Sequence, residues 1–349
     1  ESCDPFVTAL IFMAMEHAAE LRVHGRVSPL LLENLTEFQA AWASWRPERY
    51  RTVDIFADCE REESPPASNR PAICAFTGGV DSSFTVYRHT KKLCGRARKD
   101  IQAALFVHGF DISLDQPDAF ARAAGRARHA LSDLAVELLT VKTNHKELNP
   151  DWNYTHGVGI ASCLALFSRR YSCGLIGSTY NYRRLSSSWG SNPVTDRLLS
   201  SGSFQIVHDG AGYTRSQKLD TVAAWREGFR NLRVCWSAPR QDENCGRCGK
   251  CVLTLVALMI GGLPQPESFA GASPTEALRQ LRNLDAEHTE MFEYARDRAR
   301  RGGLDRRLMW ELERCAWYNR TRLRLERSSG NRLIEAARRL ALKLHACLA

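Results

Sequence analysis

A seven-residue run at positions 77–83, Thr-Gly-Gly-Val-Asp-Ser-Ser, has the composition of an anion-binding turn. The apolar stretch 72–76 precedes it and an amphipathic stretch follows it, which predicts a strand, a tight turn and the start of a helix. Gly78 and Gly79 can adopt backbone conformations that aim several N–H groups at one point. The helix N-terminus adds partial positive charge and unpaired N–H donors. The run is therefore predicted to cradle a phosphate group.

Polar side chains of the same run add chemistry to this turn. Hydroxyl donors stand at Thr77, Ser82 and Ser83. Asp81 is an acceptor that can help to hold a metal ion. The GxxxxGK[ST] spacing of a Walker A loop is absent. An ordinary strand–turn–helix corner that carries two glycines is the alternative interpretation.

The run resembles the [ST]GGxDS[ST] signature of the PP-loop ATP pyrophosphatases, the adenine-nucleotide α-hydrolase-like (HUP) superfamily. The resemblance implies that Mg-ATP binds across the glycine turn and is cleaved between its α and β phosphates. A substrate would be activated as an adenylate, and AMP and pyrophosphate would leave. Asp81 would belong to the catalytic machinery, and the other polar residues and glycines of the run would bind the nucleotide.

Four cysteines form a second chemical signal further along the chain. They are Cys235, Cys245, Cys248 and Cys251. The last three make a C-x2-C-x2-C knuckle, and four thiolates suit tetrahedral zinc. Lys250 and Arg240 would offset part of the negative charge of such a site. An iron–sulfur cluster also uses closely spaced cysteines, and the spacing leaves open whether Cys235 is the fourth ligand.

The order of glycine run and cysteine quartet resembles the 7-cyano-7-deazaguanine synthase branch of the PP-loop enzymes, over about residues 70–262. In that branch the quartet holds structural zinc, and a lysine lies on the segment before the first cysteine. By this resemblance Lys218 would contact the ATP phosphates, with Arg215 as a helper. Fixed cations would stabilise the charge that builds on pyrophosphate. A solvated lysine on a helix face is the alternative for Lys218.

Two stretches depart from that branch, and both concern the substrate. The chain has His-Gly-Phe-Asp at 108–111, where the branch has a tyrosine-containing substrate motif. The polar stretch 186–193, which contains Trp189, has no counterpart there. It is predicted to be either a lid over the substrate or a surface loop. Neither departure touches the residues assigned to ATP.

Alternating strands and helices must position these residues. Strands are predicted at 72–76, 103–107, 136–141 and 174–177, and helices at about 119–131 and 157–170. This alternation predicts an α/β fold with a doubly wound parallel sheet. Ligands of such sheets lie outside the carboxyl ends of the strands. Gly177 and Ser178 are therefore candidates for the adenylate site.

The chain divides into four predicted regions. They are a helical N-terminal segment at 1–57, a polar, proline-rich linker at 58–71, an ATP-binding domain with the zinc site at 72–262, and a helical C-terminal region at 263–349. The last region is expected to close the site, bind a partner or make a homodimer.

Composition and charge limit the class of protein. The net charge is +9, and much of the excess is arginine in the last fifth of the chain. These arginines alternate with carboxylates at helical spacing, which is typical of an ion-paired surface, with a nucleic-acid groove as the alternative. No apolar run is long enough to cross a bilayer. Scattered cysteines beside an ATP loop favour a reducing cytoplasm.

These observations favour an ATP-dependent, ligase-like enzyme. It would adenylate a carboxylate or amide oxygen of a small molecule, peptide or protein, and a nitrogen nucleophile would displace AMP. Thiolation of tRNA or of a metabolite is the first alternative, and Cys74 and Cys163 are its candidate reactive thiols. A zinc-stabilised module that binds nucleic acid without catalysis is the second.

Overall fold

The computed structural model describes residues 2–62, 70–149, 151–185, 188–235, 237–282, 284, 286–302 and 305–328. The chain forms two compact units, Glu1–Glu243 and Asn244–Ala349, and each is described by itself. The division falls within the segment that carries the four cysteines. None of the helices in the described ranges is long and apolar enough to cross a membrane.

Strands and helices alternate through most of the first unit. Its strands are β1 (Leu21–Val27), β2 (Ile55–Glu60), β3 (Ala72–Ala75), β4 (Ile101–His108), β5 (Glu137–Lys142), β6 (Cys173–Gly177) and β7 (Gln205–Asp209). Its helices are α1 (Asp4–His17), α2 (Pro29–Trp45), α3 (Val80–Thr90), α4 (Pro117–Ser132), α5 (His145–Leu148), α6 (Trp152–Ala165), α7 (Arg215–Ala223) and α8 (Arg226–Arg230).

Five parallel strands form the central sheet in the order β5-β4-β3-β6-β7. The chain runs outward from β3 to β5 and then returns to the other side of β3. The carboxyl ends of all five strands therefore lie at one edge of the sheet. The glycine run follows β3 at this edge, and Ser178 follows β6, the neighbour of β3.

Both faces of the sheet are covered by apolar side chains. Ile73 of β3 belongs to a cluster with residues of α1, α2 and α6, whereas Cys74 belongs to a second cluster with residues of α3 and α4. Successive side chains of a strand point to opposite faces. The near-continuous apolar runs of β3 and β4 are typical of parallel strands that are buried on both sides.

The N-terminal segment differs from the all-helical segment predicted for 1–57. It contains α1 and α2, but β1 lies between them and pairs in parallel with β2. Leu21 and Val23 alternate with the more exposed Arg22 and His24, which is the period of a strand. The partner strand lies more than thirty residues away, so the local pattern of a short polar segment did not reveal the pairing.

The predicted strands at 72–76, 103–107, 136–141 and 174–177 correspond to β3, β4, β5 and β6. Helix α6 starts at Trp152, earlier than the predicted 157, and ends at Ala165. The edge strand β7 was not predicted. Most of the predicted linker, residues 63–69, lies outside the described residues.

The second unit is helical in its described parts. Its helices are α9 (Gly249–Ile260), α10 (Pro274–Gln280), α11 (Ala286–Gly302) and α12 (Arg306–Ser328). They share one apolar core, which includes Val252, Leu278, Phe292 and Leu312.

Candidate functional site

The glycine run is a tight turn between β3 and α3. Gly78 has a φ of +76°, a conformation that favours glycine. Gly79 is the N-cap of α3 and has no side chain to occupy the helix N-terminus. The Ser82 hydroxyl accepts from the Thr77 N–H at 3.3 Å and donates to the Gly79 carbonyl at 3.2 Å. Ser82 therefore holds the turn closed, and the first N–H groups of the helix are of the kind that lacks intrahelical partners and suits an anion.

Ser83 has a buried hydroxyl without a hydrogen-bond partner among the described residues. Its side chain lines a small cavity beside Thr77, Gly78 and Arg233. A buried polar group normally has a partner, because leaving it unsatisfied costs about 1–3 kcal/mol. An unpaired hydroxyl behind the glycine turn is suited to receive a polar atom of a ligand.

Lys218 and Arg215 reach the glycine run from α7. The Lys218 Nζ donates to Asp81 Oδ1 at 2.8 Å and also to the Ser178 carbonyl oxygen. Arg215 Nη1 lies 3.6 Å from the other oxygen of Asp81. The Lys218 side chain is only 2% exposed, so it is not a solvated surface lysine. A carboxylate of the predicted phosphate loop is thus flanked by two fixed cations.

Helix α7 is positioned by its own N-terminal sequence. Thr214 and Gln217 form a capping box, in which each side chain accepts from the backbone N–H of the other residue. The cap fixes where the helix begins, and Lys218 follows in its first turn. Helix α7 packs against α3, and this contact brings the two halves of the site together.

The end of β6 packs closely against the start of α3. A Cβ atom on Gly177 would lie 2.9 Å from the carbonyl carbon of Asp81, so this position requires glycine. The Ser178 N–H donates to the Asp209 carbonyl at 2.7 Å, and its hydroxyl donates to the carbonyl of Tyr180. All the residues predicted for the nucleotide site therefore lie around one turn, with the Ser178 hydroxyl used internally.

Asp209 anchors α3 from the end of β7, a role that the sequence did not reveal. Its buried carboxylate accepts from Thr85 at 2.8 Å, from Arg88 at 2.8 Å and from His89 Nε2 at 3.2 Å. The Lys99 N–H donates to His89 Nδ1, so the proton of this ring is on Nε2. Burial acts to raise the pKa of Asp209, but the bond from His89 and the charge of Arg88 outweigh it and the pKa is lowered.

Arg233 is a second functional candidate that the sequence did not reveal. Its backbone N–H donates to the Gly78 carbonyl at 2.9 Å, and its Nε donates to the Thr77 carbonyl at 3.2 Å. Its Nη2 lies 3.3 Å from a carboxylate oxygen of Asp111, in the 108–111 stretch. This buried arginine thus fixes the carbonyls of the glycine turn on the side away from the helix.

The segment 235–251 brings four sulfur atoms together. The Sγ atoms of Cys235, Cys245, Cys248 and Cys251 all lie within 4.8 Å of one another. The Cys245 and Cys251 sulfurs are 3.9 Å apart, and a zinc ion with Zn–S bonds of about 2.3 Å would hold them about 3.8 Å apart. Backbone N–H groups of Ser237 and Cys248 point at the sulfurs of Cys235 and Cys245. The group could hold zinc.

The stretch 186–193 falls partly outside the described residues, which omit 186 and 187. The Trp189 ring lies 5.1 Å from the His156 ring and 5.3 Å from the Tyr180 ring. The Ser191 hydroxyl donates to Asp196, which also bonds His208 Nδ1 at 2.7 Å. The described part of this loop is thus held against α6 and β7.

Comparison with known proteins finds partial similarity to several 7-cyano-7-deazaguanine synthases. A stretch of 74 residues, 21% of this chain, is 34% identical to the 7-cyano-7-deazaguanine synthase of Brucella ovis. The same enzymes of Brucella canis and Brucella suis match equally. The aligned stretch is 32% of those relatives, so the chain spans about a third of their length. No family model and no solved structure matches the chain.

Proposed function

We propose that this protein is an ATP-dependent enzyme of the PP-loop class that releases AMP and pyrophosphate. One observation carries the proposal: the buried Lys218 ammonium meets Asp81 at the open N-terminus of a glycine-capped helix. An anion site with a desolvated cation at its side is suited to a phosphate chain on which charge develops. The partial similarity to a synthase agrees with it.

Each residue of the turn has a distinct part in this proposal. The N–H groups at the start of α3 and the Ser83 hydroxyl bind phosphate oxygens. Lys218 and Arg215 stabilise the negative charge of the departing pyrophosphate. Asp81 would help to hold Mg²⁺, which proteins usually bind through one or two carboxylates together with substrate phosphates. The magnesium ion would supply further charge neutralisation.

The sheet supports placing the fold in the adenine-nucleotide α-hydrolase-like group. The strand order β5-β4-β3-β6-β7 changes direction beside β3, and the glycine run follows β3. Such a switch point is where open parallel sheets bind ligands. The crevice between the carboxyl ends of β3 and β6 would hold the adenylate, next to Gly177 and Ser178.

Nitrogen transfer is favoured over sulfur transfer by the state of the candidate thiols. Cys74 and Cys163 are buried, and the Cys74 thiol donates to the Ala75 carbonyl at 3.2 Å. Burial raises the pKa of Cys74 well above its ordinary value and that of Cys163 to about 12. A thiol of this kind is a poor nucleophile near neutral pH. We therefore propose that the enzyme adenylates a carboxylate or amide oxygen and that a nitrogen nucleophile displaces AMP.

The cysteine group has a structural part in this proposal. Cys235 would be the fourth zinc ligand, because its sulfur lies in the same group as the three knuckle sulfurs. A site closed by four cysteines leaves no open position for substrate.

The test is a pyrophosphate-release assay with Mg-ATP, ammonia and a panel of carboxylic acids. An acid that gives turnover is then supplied with ¹⁸O in its carboxyl group. Adenylation predicts that one ¹⁸O atom appears in AMP, because the carboxylate oxygen attacks the α phosphorus and stays there after displacement. Turnover without label in AMP would contradict adenylation. If AMP is labelled but the Cys74→Ser variant is folded and inactive, the result would favour sulfur transfer over nitrogen transfer.

A further inference from the structure

Helix α12 carries a line of three arginines, two tryptophans and one threonine on the side away from its apolar core contacts. Its members follow at steps of three and four residues, which places them on one face of a helix. This Arg–Trp stripe consists of Arg307, Trp310, Arg314, Trp317, Thr321 and Arg324. Trp310 is 61% exposed and Trp317 is 58% exposed. Tryptophan is highly buried on average, so two of them on one surface line need an explanation.

Core packing among the described residues of the second unit does not use this face. The buried apolar side chains that α12 contributes to the core shared with α9, α10 and α11 are those of Leu308, Leu312 and Cys315. The stripe lies on the other side of the same helix. The two tryptophans therefore lie outside this core.

The second unit carries most of the net positive charge of the chain. Residues 244–349 contain 19 Lys and Arg against 12 Asp and Glu, a net +7 of the total +9. Two carboxylates of α12 are already engaged, because Glu311 pairs with Arg279 and Arg314, and Glu313 lies 2.8 Å from Arg300. Part of the predicted ion pairing is thus present, and Arg306 and Arg307 remain exposed at the start of the stripe.

We propose that the Arg–Trp stripe binds single-stranded RNA. Exposed aromatic rings provide stacking surfaces for bases, and guanidinium groups bind phosphates. Trp310 and Trp317 are seven residues apart, about 10 Å along the helix axis, so each ring can stack on a different base of one strand. A membrane surface fits less well, because arginines interrupt the apolar line at every turn. This inference does not depend on the proposed ATP chemistry.

The experiment measures fluorescence anisotropy of a 5′-labelled 20-nucleotide oligouridine titrated with the full chain. Removal of both rings in Trp310→Ala/Trp317→Ala is expected to weaken binding by about 100-fold, since stacking contributes about tenfold or more per base. Removal of two charges in Arg306→Gln/Arg307→Gln is expected to lower the slope of log affinity against log salt by about 1.4. The matched control is Phe6→Ala/Phe56→Ala, which removes exposed rings from the first unit.

Circular dichroism and thermal unfolding are used to check that each variant is folded. Oligouridine binding that is unchanged in the tryptophan variant would overturn the proposal. So would a wild-type chain that binds only duplex RNA, only anionic vesicles, or another copy of itself through these tryptophans. Because Asp81→Ala should leave RNA binding unaltered, failure of the ATP assignment and failure of this proposal are separate results.

Discussion

The ion pair between Asp81 and Lys218 has two consequences at the scale of single residues. Lys218 is buried, so its charge is tolerated because Asp81 and the Ser178 carbonyl oxygen compensate it. Removing one partner of a buried pair leaves the other charge uncompensated, whereas replacing both removes the problem. We therefore expect substitutions of Asp81 and Lys218 to change both ATP turnover and the free energy of unfolding. Comparison of single and double variants separates the two effects.

Asp81→Ala is predicted to lower the free energy of unfolding by about 2–4 kcal/mol, because it leaves the buried ammonium of Lys218 without a carboxylate. The double variant Asp81→Ala/Lys218→Met should recover most of that loss. All variants of the pair should lack ATP turnover. The control Lys91→Ala changes an exposed lysine and should keep the stability and turnover of the wild type. Urea denaturation measures stability. Recovered turnover in the stable double variant would show that the pair is structural only.

His145 gives a prediction about pH. Its ring is buried against Phe110 and Trp152, and burial lowers its pKa to about 4. The unfolded chain, with a histidine pKa of about 6.5, binds the proton more readily than the folded chain. Stability is therefore complete above about pH 7 and falls by about 2 kcal/mol by pH 5.

The pH prediction is checked by urea denaturation of the wild type and His145→Phe at pH 7 and pH 5. The variant should lose about 2 kcal/mol less than the wild type over this interval, whatever its stability at pH 7. Equal losses in the two proteins would contradict the assignment of a neutral, buried His145.

The helix α3 is the element on which the site depends. Its N-terminus supplies the N–H groups for an anion, and its other end is tied to β7 through Asp209. The buried carboxylate accepts hydrogen bonds from Thr85, Arg88 and His89, so the helix cannot shift along its axis without breaking them. The geometry of the turn is thus set from both ends of α3.

Asp209→Asn is predicted to lower the free energy of unfolding by about 3 kcal/mol, because Arg88 would keep a buried charge without a carboxylate. The exposed Asp133→Asn, at the end of α4, is the matched control. Since the pKa of Asp209 is lowered in the folded chain, its contribution is present at neutral pH and is lost as pH falls below about 4. The difference between the wild type and Asp209→Asn should shrink over the same interval. A difference that is as large at pH 3 as at pH 7 would argue against a lowered pKa of Asp209 in the folded chain.

At the scale of the whole molecule, motifs were predictable from sequence and long-range partners were not. The glycine run, the cysteine group and strands β3 to β6 have local patterns, and the structure contains each of them. Asp209 and Arg233 have no motif, because their roles depend on partners more than 100 residues away. Strands β1 and β7 were missed for the same reason, since a short strand is defined by its neighbour.

The cysteine group gives the prediction that belongs to the whole chain. Metal analysis should find about one zinc ion per chain, because one group of four sulfurs is present in the described residues. Cys248→Ser should lower the melting temperature, by about 4–8 °C for a loss of 2 kcal/mol. The exposed Cys59→Ser should not. Iron with acid-labile sulfide, or a stable Cys248→Ser protein without turnover, would contradict a structural zinc site.

The central claim is that the glycine turn positions ATP for cleavage between the α and β phosphates. Phosphorus NMR of the purified chain with Mg-ATP, ammonia and the panel of carboxylic acids tests it most directly. The account predicts resonances of AMP and pyrophosphate with at least one acid, and none with Asp81→Ala. Resonances of ADP and inorganic phosphate would contradict it, because they would place the cleavage between the β and γ phosphates.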